Sequence, residues 1–220
     1  MSKGLGIASA WRRDDVRLYI HDYYRMVEDV DRCIGQVLDA LRETGLERNT
    51  IVAFLSDHGE GLGGHLWAQK AAFYEESARV PLILAGPGIR PRHTEYATLA
   101  SLADLVPTFC DYAGIKAPPS LRGVSLRPVL EGRTLDRPFV AGELLYQDQA
   151  REGRMIRTAR HKYIVFNNGA RPEQLFDLDT DPGEVLNLAT RPEAQPELHR
   201  HRALLRAWIR ETTDDFRMPS

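Results

Sequence analysis

Asp57 and His58, followed by Gly59 and Glu60 and then by His65 and Lys70, are the residues of this chain whose types and spacing could do chemistry. A carboxylate beside an imidazole offers one hard oxygen and one nitrogen to a divalent cation such as Ca²⁺, Mg²⁺, Mn²⁺ or Zn²⁺. The pair alone cannot fill a coordination shell, so further carboxylates must come from elsewhere. Lys70, on a flexible stem, can bring an ammonium back to an anion at the metal. His65 can donate to an oxyanion or a leaving group, and Glu60 can accept hydrogen bonds behind the ligands. Each residue also has a plainer reading. Asp57 would cap a turn and His58 would bond a backbone carbonyl; His65 would steady the glycine-rich loop, and Lys70 and Glu60 would be solvated. Glu75 and Glu76 read as a helix-terminal charge cluster, paired with Arg79.

Something must hold these groups in place. Thr50 to Leu55 is a short unbroken apolar or β-branched run, the signature of a strand buried on both faces of a parallel sheet. Ligands of open α/β sheets sit just beyond the carboxyl ends of such strands, which is where Asp57 and His58 fall. Upstream, Val16, Ile20, Tyr23, Val27, Val30, Ile34, Val37 and Leu41 recur at alternating spacings of four and three. That spacing predicts one long helix, capped by Asp14 or Asp15, ended at Gly45 and laid across one face of the sheet. Downstream come a short helical piece over 71–77 and a second buried strand over 80–84. Residues 90–98 are a loop or an edge strand, and a helix starts at Ser101 and stops at Gly114. From about residue 133 the character changes to antiparallel strands over 139–145, 154–159 and 162–166, a short extended piece over 175–178, and a closing helix over 196–212. The expected class is α/β, with domains at 1–132 and 133–220. The first is a mostly parallel sheet with flanking helices; the second is a small antiparallel sheet with one packed helix.

Bulk properties narrow the function classes. The chain has 220 residues, 29 basic and 31 acidic, for a net charge of -2, which gives no electrostatic case for nucleic acid. No apolar run approaches the roughly 20 residues that cross a bilayer, so no membrane partner is expected. The N-terminal residues lack the apolar core of a signal peptide. The chain as written reads as cytoplasmic, a longer form could be periplasmic or secreted, and the compartment stays open. Only Cys33 and Cys110 are present, too few for a disulfide framework. Both lie in helical apolar stripes and read as core residues.

Taken in order, Ser56-Asp57-His58-Gly59-Glu60, Leu62-Gly63, His65, Lys70, Tyr74-Glu75-Glu76-Ser77 and Arg79-Val80-Pro81-Leu82-Ile83 resemble the second half of a sulfatase of the alkaline phosphatase superfamily. The resemblance extends upstream through Tyr23-Tyr24 and Leu38-Asp39-Ala40-Leu41. Downstream it runs through Asp104-Leu105-Val106-Pro107-Thr108 and Leu175-Phe176-Asp177-Leu178 to about residue 210. It implies a partial alkaline-phosphatase-like sandwich, a divalent cation held partly by Asp57 and His58, and Lys70 and His65 as substrate-binding and catalytic groups on the sulfate ester. Ca²⁺ is the first choice of ion, with Mn²⁺, Mg²⁺ or Zn²⁺ as alternatives. The implied substrate is a small sulfate ester or a sulfated glycan. The family's nucleophile is a formylglycine made in a Cys/Ser-x-Pro-Ser/Ala-Arg motif, and that motif is absent from these 220 residues. The family's upstream pair of metal-binding aspartates, and its upstream Lys and His, are absent too. The chain therefore resembles the C-terminal portion of a sulfatase, inactive alone, with strand edges and apolar surface left exposed. A phosphonate or phosphate monoester hydrolase of the same superfamily, or a non-catalytic fragment, are the alternatives.

Overall fold

The computed structural model describes residues 6–7, 10–90, 95–145 and 151–219. By packing, the chain divides into two compact units, Met1–Lys70 with Glu76–Thr94, and Ala71–Glu75 with Glu95–Ser220. Packing thus divides the chain elsewhere than the change of sequence character at residue 133. Residues 95–132 are tied to the C-terminal segment, because the buried Asp104 carboxylate pairs with Arg137 and Arg122 donates to the carbonyls of Glu211 and Thr212.

In the first unit, α1 (Arg13–Glu43) forms where the apolar spacing predicts it. Asp15 accepts from the Arg12 backbone N–H at 2.9 Å to open it. Thr44 closes it, and Gly45 takes the left-handed turn at φ 72°. The short strand β1 (Gly6–Ile7), which the sequence does not announce, pairs antiparallel with β3 (Trp67–Ala68). β2 (Val52–Leu55) carries the candidate site at its end and pairs with β4 (Leu82–Ala85). One helical turn, α2 (Glu75–Ala78), precedes β4.

Three expectations for this unit need correction. β2 and β4 run antiparallel, and among the described residues no strand pair is parallel. A continuous apolar run reports that both faces of a strand suit apolar cover; it says nothing about a partner's direction. Nor are the strands buried on both faces, since Phe54 is 37% and Ile83 58% exposed. Finally, α1 buries no residue at all. Val16, Ile20, Tyr23, Ile34 and Leu41 are half-buried, whereas Val27, Val30 and Val37 stand in solvent with Leu18, Tyr24 and Met26. Cys33 is accordingly exposed rather than in a core. Between the helix and the sheet, Ile34, Leu38, Leu41, Phe54, Ile83 and Ala85 line an open groove of about 300 Å³.

The second unit holds the well-packed core. α3 (Leu105–Ala113) is preceded by a 3₁₀ turn that Ser101 caps, and ends at Gly114 in the left-handed conformation. α4 (Arg127–Leu130) is a single helical turn. β5 (Val140–Leu145), β6 (Glu152–Arg157), β7 (His161–Phe166) and β8 (Glu173–Asp177) form one antiparallel sheet in sequence order. Side chains alternate across it. Ile156, Tyr163, Val165 and Leu175 pack with Leu198 and Leu205 of α5 (Gln195–Thr212). Met155, Ile164, Phe166 and Phe176 face the other way and pack with Phe73. Among the described residues, no helix is long and apolar enough to cross a membrane.

Arg154 on β6 is 3% exposed and grips Asp214 with two 2.7 Å hydrogen bonds. Its guanidinium also lies 4.6 Å over the Phe216 ring. The Arg154 hydrogen bonds hold the Asp214 carboxyl below the usual carboxylate range, against burial, which pushes it up. A carboxyl depressed in the folded state binds fewer protons there than in the unfolded chain. Its contribution is therefore complete above the unfolded value of about 3.9 and is lost as pH falls through the folded one. We expect the urea midpoint to drop as pH is lowered below about 4. Asp214→Asn should lower the midpoint at neutral pH and flatten that acid slope.

Candidate functional site

Ser56 leaves the end of β2, and its hydroxyl donates to the His58 carbonyl at 2.7 Å, bending the chain sharply. The Asp57 carboxylate accepts from the His58 backbone N–H at 2.9 Å through Oδ1. That leaves Oδ2 pointing outward, 3.5 Å from Nε2 of His58. On the other side of the ring, Nδ1 lies 2.8 Å from the Gly59 carbonyl oxygen. A carbonyl only accepts, so in the neutral ring Nδ1 carries the proton and Nε2 presents its lone pair. Both the turn-capping and the carbonyl-bonded readings of this pair are realised, and Asp57 Oδ2 and His58 Nε2 are left 3.5 Å apart. Two ligand atoms at usual distances from one small divalent ion, near a right angle, lie about 3–3.5 Å apart. The pair fits a shared cation, with the imidazole tautomer locked by its backbone partner. Among the described residues, no group of three or more His, Cys, Asp or Glu could hold a metal, so these residues do not by themselves make a full cation shell around the pair.

Gly59 and Gly61 are required by contact rather than by dihedral. A Cβ at Gly59 would sit 1.9 Å from the Glu76 carbonyl oxygen, and one at Gly61 would sit 2.3 Å from the Trp67 ring. The Gly59 N–H also donates to the Ser77 carbonyl at 2.9 Å. Gly59→Ala must push backbone from backbone. We expect a loss of about 3 kcal/mol or more in chemical denaturation, well above the usual surface substitution.

The loop beyond is unusual. Leu62, His65, Leu66, Gln69 and Ala71 all have positive φ, between 45° and 73°. Such residues cost on the order of 1–3 kcal/mol each and persist where their surroundings over-determine them. Glu60 supplies part of that determination. Its Oε1 accepts from the Tyr19 hydroxyl at 2.8 Å and from the Gln69 backbone N–H. The Gln69 carbonyl in turn accepts from the Gly61 N–H at 2.8 Å. A hydrogen bond to a charged acceptor contributes about 1.5–3 kcal/mol, the same size as the strain of one such residue. Tyr19 is pushed up to about 12 by burial, then by the hydrogen bond and charge of Glu60, so it remains a donor at neutral pH. Its ring meets the edge of Trp11 at 4.9 Å between centroids.

The structure sets Oδ2 of Asp57 and Nε2 of its chain neighbour His58 3.5 Å apart. It sets His65 and Lys70 on the same strained loop with different surroundings. His65 Nε2 lies 3.7 Å from the Glu76 carboxylate, and Lys70 is exposed between Gln69 and Ala71. Glu60 is no solvated loop glutamate, and Glu75 and Glu76, which do stand at the start of α2, each have a partner of their own. Glu76 turns to His65. Glu75 lies 2.6 Å from the ammonium of Lys162, a residue on β7 that is 0% exposed and 2.9 Å from the buried Glu184. Sequence reading passed over Lys162 and Tyr19. The visible signal was a lysine inside an otherwise apolar strand, and a tyrosine one position before the apolar stripe residue Ile20.

Comparison with known proteins identifies the family. The sulfatase family model matches residues 9–115, and the model described as N-sulphoglucosamine sulphohydrolase, C-terminal, matches residues 63–210. The chain is 38% identical over 217 residues to the Delta 4,5-hexuronate-2-O-sulfatase of Bacteroides thetaiotaomicron, covering 96% of this chain and 45% of that protein. A solved 2-O GAG sulfatase superposes with a TM-score of 0.89 at 36% identity, over 97% of this chain and 48% of that one. The phosphonate monoester hydrolase of Agrobacterium radiobacter follows with a TM-score of 0.78 at 30% identity, over 90% and 42%. The chain spans about half the length of these relatives. With a motif series, a fold and two family models in agreement, the chain belongs to the sulfatase family of the alkaline phosphatase superfamily.

Proposed function

We propose that these residues form the cation-and-sulfate side of a sulfate ester hydrolase site. Asp57 and His58 would hold a divalent cation, Ca²⁺ being the first choice for the hard carboxylate oxygen. When bound, such an ion neutralises charge on the ester oxygens and polarises the group under attack. Lys70 places a compact positive charge on the same sulfate group, and His65, backed by Glu76, is a donor for the departing oxygen. A nucleophile, and the rest of the metal shell, must come from residues other than these. The observation that carries this reading is the 3.5 Å separation of Asp57 Oδ2 and the lone-pair-bearing His58 Nε2 at the end of a strand. The substrate class we favour is a sulfated glycan, since the matched relative is named for 2-O-sulfate on a hexuronate. Phosphonate monoester hydrolysis is the second reading, supported by a weaker structural match.

The exposed groove between α1 and the β2–β4 pair supports the need for further chain, because so much uncovered apolar surface is uncommon on a free-standing domain. The purified 220-residue chain should not turn over a chromogenic aryl sulfate. Joined behind an N-terminal sulfatase portion that carries a Cys/Ser-x-Pro-Ser/Ala-Arg segment, it should hydrolyse the sulfate faster than an aryl phosphonate, and lose turnover to a chelator. Robust hydrolysis by the chain alone, or a joined protein indifferent to chelation, would overturn the reading.

A further inference from the structure

Lys70 projects from a backbone that would not hold its shape unaided. Gln69 before it and Ala71 after it both stand at φ 73°, a conformation that non-glycine residues avoid. Gln69 is gripped through both of its backbone groups. Its N–H goes to the Glu60 carboxylate, and its carbonyl takes the N–H of Gly61. The same oxygen of Glu60 that receives Gln69 also receives the Tyr19 hydroxyl, so α1 fixes the carboxylate from behind. Trp67 packs against Gly61 and fills the space that a side chain there would need.

We propose that Glu60, held by Tyr19, is a positioning residue for Lys70. Its carboxylate fixes the amide of Gln69, and thereby the left-handed turn from which the lysine stem leaves. The proposal rests on the reading of Lys70 as the sulfate-binding cation. It assigns to the Glu of Asp-His-Gly-Glu a task in shaping the loop, distinct from metal ligation and from contact with substrate. Removing the acceptor frees the Gln69 N–H and lets residues 69–71 relax, so the ammonium loses its fixed origin while the core is untouched.

The test has two arms. In the 220-residue chain, hydrogen exchange at the Gln69 amide should speed up about tenfold or more in Glu60→Ala. The rise should be smaller in Glu60→Gln, which keeps an acceptor oxygen, and smaller again in Tyr19→Phe. In the joined protein described above, Glu60→Ala should lower kcat/KM for the sulfate ester by about ten- to a hundredfold when Lys70 is present. On a Lys70→Ala background the same change should cost less than about twofold, because the group it positions is gone. A purely structural role would shift the thermal midpoint and act equally on both backgrounds. Unchanged exchange at Gln69, or effects that simply multiply, would overturn the positioning role and leave Lys70 in place. A Lys70→Ala enzyme with undiminished kcat/KM would instead sink the assignment of Lys70, and this proposal with it.

Discussion

Lys162→Met should unfold the second unit at temperatures where the parent chain is intact, with a loss of about 3–5 kcal/mol. The ammonium is 0% exposed and has three partners: Glu75 at 2.6 Å, Glu184 at 2.9 Å and the Phe73 carbonyl at 2.8 Å. Burial already holds the Glu184 carboxyl above its ordinary value, opposed by the charge of Lys162. Without the cation, two carboxylates face each other in an apolar setting, and that is the expensive case for a buried ion pair. Spread over a unit of this size, the loss corresponds to a fall of roughly 10–20 °C in Tm. Replacing Glu184 with Gln in the same background removes one of the stranded charges. The double variant should recover part of the loss, a coupling that a cavity effect alone would not show. A thermal scan of both variants checks it, and a Lys162→Met protein that melts with the parent would refute the account.

Asp57→Ala should have the opposite profile, with a large effect on turnover and almost none on folding. Its side chain is 83% exposed, and the hydrogen bond it accepts comes from the next residue's own N–H. Surface changes of this sort usually stay within about 0.5 kcal/mol. If the carboxylate is half of the cation grip, its removal from the joined protein should cut kcat/KM by about a thousandfold or more. Asp57→Asn keeps an oxygen but loses the charge, and should fall between the two. Steady-state kinetics with a cation titration, beside a urea melt of each variant, separates the two profiles. Equal turnover in parent and Asp57→Ala would remove the metal assignment, whatever the melts show.

The same contrast appears in how stability is distributed. The second unit closes a core on both faces of its sheet, with Ile156, Tyr163, Val165, Leu175 and Leu205 fully buried. The first unit leaves its long helix without a buried residue and its strand pair half uncovered. Chain that opens easily is where apolar burial is sparse. Hydrogen exchange should therefore be faster across α1 and β2 than across β6 and β7.

Local chemistry made much of this legible in the sequence. The four–three spacing determined α1, because helical neighbours lie three and four residues apart whatever the helix packs on. Alternation and turn residues determined the four antiparallel strands and the closing helix. The Asp57-His58-Gly59 order at a strand end determined that the carboxylate and the imidazole lie close together, since adjacent residues need only a tight turn to converge. Direction of pairing and depth of burial were decided by the tertiary structure alone. The apolar run in β2 is compatible with either partner direction, and the stripe on α1 is only partly covered although its pattern is ideal. Tertiary structure also decided the fates of the charged residues, because charge type does not report a distant partner. Glu60 meets Tyr19, 41 positions away. Glu75 and Glu184 meet an interior lysine, and the N–H of Glu75 reaches Glu184 109 positions along the chain. Pattern in sequence is a short-range record, and the ordering of a strained loop by a helix packed behind it is a long-range fact.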